Sequence, residues 1–183
     1  MPNHFTVPGL ADANAKKVID ALDERLVGLA DLALTLKHIH WNVVGPNFIG
    51  VHEMLDTHVD GVRAMVDQVA ERIAMLGGVP VGTPGALVKR RDWDDYSIGR
   101  ATVPEHLAAL DLVYVGVIED MRKVIDKIEE LDPITHDMLI GHTGELEQYQ
   151  WFVRAHLEDR EGRLAHEGAT TEKQATKAVR AAS

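Results

Sequence analysis

Between residues 16 and 157 apolar side chains return every three or four positions in four long runs, and the one long interruption falls between the second and third. That period is the repeat of one helix face, so the chain is committed to amphipathic α-helices that bury a stripe against one another. The first run takes in Ile19, Leu22, Leu26, Leu29, Ala33, Leu36 and His40. Gly45 and Pro46 in VGPNFIG then break it, since neither sits inside a helix without cost. The second, from about 50 to 76, carries Leu55, Val59, Val62, Val66, Val69, Ile73 and Leu76, and Gly77-Gly78 supplies the stop. Thr102-Val-Pro-Glu105 is a capping box with proline in the first turn, opening a third run through Leu107, Leu110, Tyr114, Val117, Met121, Val124, Ile128 and Leu131. Asp132-Pro133 ends that run and caps a fourth, from about 134 to 160, which buries Met138, His142, Leu146, Tyr149, Phe152, Val153 and Leu157.

Residues 77–101 are rich in Gly and Pro and too long for a simple turn, which predicts a crossover with one short helix at DWDDYS. So long a connection joins helices that run parallel. Four helices with a crossover between the second and third predict an all-α fold, the ferritin-like four-helix bundle. At 183 residues the chain fits one domain. The expected organisation is an N-terminal tail over 1–15, the bundle over 16–160, and a flexible polar C-terminal tail over 161–183, where the stripe is lost. No strand pattern is apparent. Nor is there an apolar run long enough for a membrane or a signal peptide at MPNHFTVPGLADA, so a cytoplasmic location is expected.

The chain has no cysteine, which excludes disulfides, thiolate zinc sites and iron–sulfur clusters and leaves any metal to His, Asp, Glu and water. Its formal net charge of −10 argues against a body coated for nucleic acid and suits one that attracts cations. HWNVVGPNFIGVHEMLD, residues 40–56, is followed eleven positions on by DQVAE. On a helical wheel His52, Asp56, Asp67 and Glu71 form one seam beside the apolar stripe of the second helix, as two pairs spaced four apart. Singly, each is ordinary helix surface. Together with His40, and with no soft ligand anywhere, they form a mixed imidazole and carboxylate set that suits iron or manganese and tolerates zinc. Eleven residues of helix rise about 16 Å, far beyond a coordination sphere, so one copy of the helix cannot close the site. The expectation is a site shared across a two-fold axis, with His40, His52 and Asp56 from one chain and Asp67 and Glu71 from a second copy. No Glu stands three residues before a His, which disfavours the usual intrachain di-iron bundle and a monomeric oxidase of that type.

The same residues resemble a known signature. LKHIHWNVVGPNFIGVHEMLD followed by DQVAER, the Gly-Gly stop, the YS-containing crossover and QWFVRAHLE resemble the bacterial mini-ferritins called Dps, DNA-binding proteins from starved cells, in their mycobacterial and other actinobacterial branch. The resemblance covers roughly residues 5–158. It implies a hollow dodecamer that oxidises Fe²⁺ with hydrogen peroxide or O₂, stores Fe³⁺ as mineral, and protects DNA under stress. By the same resemblance the ferroxidase ligands fall on His40, His52, Asp56, Asp67 and Glu71, and Trp41 is placed to quench stray one-electron oxidant. Asp132, Asp137 and Glu145 match the acidic pores that admit iron. Family members bind DNA through basic tails, for which Arg160, Arg163, Lys173, Lys177 and Arg180 are the candidates here; residues 160–183 carry a net charge of +2. Binding of that kind is non-specific, weakened by salt, and would associate the particle with the nucleoid. The alternative is a nucleoid-compacting shell whose metal site is mainly structural.

Overall fold

The computed structural model describes residues 7–182. In chain order the elements are α1 (Asp12–Asn42), β1 (Val43–Val44), α2 (Phe48–Met75), α3 (Pro84–Arg90), β2 (Ala101–Thr102), α4 (Val103–Ile128), α5 (Pro133–Ala155) and α6 (Glu172–Ala182). The four long helices are the bundle. α1 packs on α2 and α4, and α5 packs on α4 and α2. Their predicted stripes meet in one core, where Leu22, Leu36, Leu55, Val62, Leu107, Tyr114, Leu146 and Val153 are fully buried. Each such aliphatic side chain contributes about 1.5–3 kcal/mol of burial, and that sum, not helix propensity, holds the long helices in place.

The capping box forms as the sequence indicates: Glu105 Oε2 accepts from the Thr102 backbone N–H and from its hydroxyl, both at 2.7 Å. β1 and β2 were not foreseen. They pair parallel, Val43 with Ala101 and Val44 with Thr102. Because β1 leads into α2 and β2 into α4, this pairing sets the two helices off in the same direction, as a long crossover requires. Two-residue strands carry no periodicity for a sequence to display.

The short helix of the crossover lies at PGALVKR and not at DWDDYS. Thr83 and Pro84 give PGALVKR its helix start. DWDDYS instead spends its side chains on tertiary contacts: Trp93 Nε1 donates to Asp31 Oδ2 at 2.9 Å, and the Tyr96 hydroxyl pairs with His106 Nδ1 at 3.0 Å.

The C-terminal segment also differs from the polar tail expected over 161–183. α6 lays Ala175, Thr176 and Val179 against α4, where Ala108 is fully buried beneath it. Small residues on both helices allow a close approach with a short apolar face, too short to register as a stripe. Polar contacts hold it further. Glu172 accepts from the Ser97 backbone N–H at 2.6 Å, Arg180 pairs with Glu105, and His166 Nε2 donates to Asp111 Oδ2 at 3.0 Å. Burial would raise the pKa of Asp111, but hydrogen bonds from His166 and Arg154 outweigh it and hold the carboxyl below its usual range. Of the expected N-terminal tail, residues 1–6 lie outside the described residues, Val7 and Leu10 pack at the margin of the core, and α1 begins at Asp12.

Candidate metal centre

The end of α1 and the start of α2 face each other because the chain reverses between them within a few residues. Gly45 (φ 98°) and Asn47 (φ 63°) take the left-handed backbone that so tight a reversal needs. The reversal stacks the imidazoles of His40 and His52, with centroids 3.5 Å apart and planes 23° apart. Each ring also faces the other's backbone: His40 Nδ1 lies 3.0 Å from the His52 carbonyl oxygen, and His52 Nδ1 lies 3.0 Å from that of His40. A carbonyl only accepts, so both Nδ1 atoms carry the proton and both Nε2 lone pairs are left for a metal.

Asp56, one turn after His52, completes the group. Ligand atoms of His40, His52 and Asp56 all lie within 4.8 Å of one another, the one such cluster among the described residues. His40 is buried and the other two are half-buried, which leaves one side of the cluster open. Lys37 Nζ holds Asp56 Oδ1 at 2.7 Å, and this hydrogen bond is the main reason the carboxyl stays ionised below its usual range. Lys37 was missed in the sequence, although it stands three residues before His40 and so shares its face of α1. Three ligands with open positions remaining suit a metal that must react rather than one that only braces the fold.

Asp67 and Glu71 do not join this cluster. They are exposed, three turns further along α2, as the rise of the helix dictates. Within one chain the seam is therefore split into two separate pieces.

A ferritin-like domain model matches residues 19–162. The chain is 62% identical over 176 residues to the DNA protection during starvation protein of Mycolicibacterium smegmatis, covering 96% of each. The chain belongs to the Dps branch of the ferritin-like family. Solved Dps structures superpose accordingly. That of Mycobacterium smegmatis Dps matches with a TM-score of 0.90 at 63% identity, over 91% of this chain and 95% of that one. DpsA14 from Streptomyces coelicolor matches with a TM-score of 0.87 at 60% identity, over 88% and 96%.

The remaining candidate residues of this Dps chain fall in varied surroundings. Trp41 is 71% exposed, with the Lys37 ammonium 6.0 Å from its ring, and does not pack into its own helix end. Of the three expected pore acids only Asp137 and Glu145 are exposed. Asp132 is buried, takes a 2.6 Å hydrogen bond from Arg72 Nη2 and another from the Thr135 hydroxyl, and so braces the α4–α5 connection within its own chain. Glu145 accepts the hydroxyl hydrogen of Tyr149. Among the tail cations, Arg163 pairs with Asp159 and Glu161, and Arg180 is held by Glu105. Arg160, Lys173 and Lys177 are exposed.

Proposed function

We propose that the protein is a ferroxidase and iron store: it oxidises Fe²⁺ with hydrogen peroxide, or more slowly with O₂, at sites shared between two chains of a dodecameric shell. The observation that carries this reading is the clustering of His40, His52 and Asp56 at one chain reversal while Asp67 and Glu71 stay three turns away. An imidazole and carboxylate triad with open positions can take Fe²⁺ and still leave room for the oxidant. A second copy of α2, antiparallel across a two-fold axis, brings the acid pair to the triad and supplies the negative charge that a pair of ferrous ions and their Fe³⁺ products need. Peroxide takes one electron from each of two Fe²⁺ ions and two protons from solvent and leaves as two waters, so no hydroxyl radical forms. Asp137 and Glu145 are the carboxylates past which Fe²⁺ enters the shell, and Fe³⁺ leaves the site to join mineral inside. DNA protection follows from removing peroxide and ferrous iron together.

Contact with DNA is assigned to Arg160, Lys173 and Lys177, with Arg163 and Arg180 joining when their acid partners yield to phosphate. It is repeated around the shell and sensitive to salt. No helix of the described chain is long and apolar enough to cross a membrane.

Peroxide-driven Fe²⁺ oxidation by His52→Ala and by Asp67→Ala tests this reading. Each is expected to fall at least about tenfold, about 1.4 kcal/mol in the barrier, with the native mass still that of a dodecamer. Unchanged rates in both would defeat the site. Retardation of DNA that persists when 160–183 are deleted would defeat the tail assignment. A shell that binds DNA but does not oxidise iron would favour the structural-metal alternative.

A further inference from the structure

From Trp151 at the surface an aromatic line runs inward through Phe152 to His58, two residues past Asp56 on α2, and on to Tyr149. Trp151 on α5 is 61% exposed, and its ring lies 5.2 Å from that of Phe152. Phe152 lies 6.3 Å from His58, and His58 stacks on Tyr149 with centroids 4.2 Å apart and planes 16° apart. Tyr149 is 5% exposed, and its hydroxyl donates to the carboxylate of Glu145 one turn back on the same helix. α2 makes room for this pair. A Cβ at Gly61 would collide with Tyr149 Oη and fall 2.7 Å from Glu145 Oε1. A phenol buried against a carboxylate that is exposed on its other side is an arrangement packing alone does not call for.

We infer that Tyr149, with Glu145 as its proton acceptor, is a one-electron sink for oxidising equivalents that reach the protein at Trp151. A strong one-electron oxidant such as the hydroxyl radical takes an electron from the Trp151 indole and leaves as hydroxide. The indole radical cation then takes an electron from the Tyr149 phenol while the phenolic proton moves to Glu145, giving neutral Trp151, a tyrosyl radical and a protonated carboxyl. Phe152 and His58 are not oxidised; they fill the path with stacked rings. A ferrous ion returns the electron, becoming Fe³⁺, and Glu145 returns the proton. Burial, with the neighbouring Glu145, holds the phenol well above its usual range, so its proton leaves only together with its electron. The radical comes to rest inside the bundle and away from bound DNA. This role adds to the proposed iron chemistry without depending on it, because the oxidant can be supplied with no iron present.

The test is pulse radiolysis of the iron-free, full-length assembly in azide, where the azidyl radical oxidises tryptophan, following decay of the indole radical and rise of tyrosyl absorption. Wild type is expected to show the transfer, and Tyr149→Phe to lose it. Glu145→Gln should slow it at least about tenfold and change its solvent deuterium effect. The chain has three tyrosines, so a Tyr149→Phe variant that keeps the tyrosyl signal places the radical on Tyr96 or Tyr114 and overturns the inference. A Glu145→Gln variant with the wild-type rate overturns the role of the carboxylate. Tyr149→Phe should oxidise iron at the wild-type rate, which separates failure of the sink from failure of the metal site.

Discussion

His58 and His106 are buried among apolar and aromatic side chains, and burial pushes both rings down to about 4 from 6.5. Both are therefore neutral in the fold, where each Nδ1 meets a tyrosine hydroxyl: His58 with Tyr114 at 2.9 Å and His106 with Tyr96 at 3.0 Å. As pH falls through this interval the unfolded chain takes up protons that the folded chain refuses. Stability is expected in full above the unfolded value and to fall by about 1.4 kcal/mol per pH unit for each ring until about 4. Urea midpoints across that window check it, and His106→Gln should flatten the slope by one ring's share. His40 and His52 show the other use of the residue. Their Nδ1 atoms are committed to backbone carbonyls, so the fold fixes in advance which nitrogen keeps a lone pair for a metal. Their place on either side of a Gly-Pro break was legible in the sequence. The tautomer was not, because it depends on how tightly the reversal closes.

The α4–α5 connection rests on an ion pair between Arg72 and Asp132, both nearly inaccessible. Burial alone would raise the Asp132 pKa, but the Thr135 hydroxyl and Arg72 outweigh it and keep the carboxyl below its usual range. Asp132→Ala leaves a buried guanidinium without its partner and is expected to cost about 3–5 kcal/mol, read as a shift in the urea midpoint. α6 is held far more lightly. Val179→Asp should detach it, so that proteolysis cuts within 172–182 while 12–155 stay resistant. The long helices were legible because each repeats its stripe over more than twenty residues. α6 was not, since its buried face is two small residues and a valine. DWDDYS misled for a related reason: its acids and aromatics look like helix punctuation, yet Trp93 and Tyr96 answer to Asp31 and His106, partners no local pattern reveals.

For the assembled molecule, the separation of triad and acid pair along α2 makes a prediction that no single-chain enzyme can satisfy. A chain carrying His40→Ala, His52→Ala and Asp56→Ala keeps only the acid pair, and one carrying Asp67→Ala with Glu71→Ala keeps only the triad. Each alone should be nearly inactive toward Fe²⁺. Co-expressed, a mixed dimer holds one intact site and one empty one, so activity should return in part. Failure to complement, with both chains present in the shell, would refute sharing. The five ligand candidates stand at a chain reversal and along one seam, so their grouping was legible; the second chain was legible only through the length of a helix. The clasp of Val43–Val44 on Ala101–Thr102 bears on when this arrangement comes into being. It joins positions 58 residues apart. Closing so long a loop costs about 4 kcal/mol of chain entropy beyond a constant, while each backbone hydrogen bond returns about 0.5–1.5. The clasp thus forms only after α4 has docked on α1. Residues 43–44 lie in the reversal between His40 and His52, so the candidate metal cluster gains this brace only once α4 is in place.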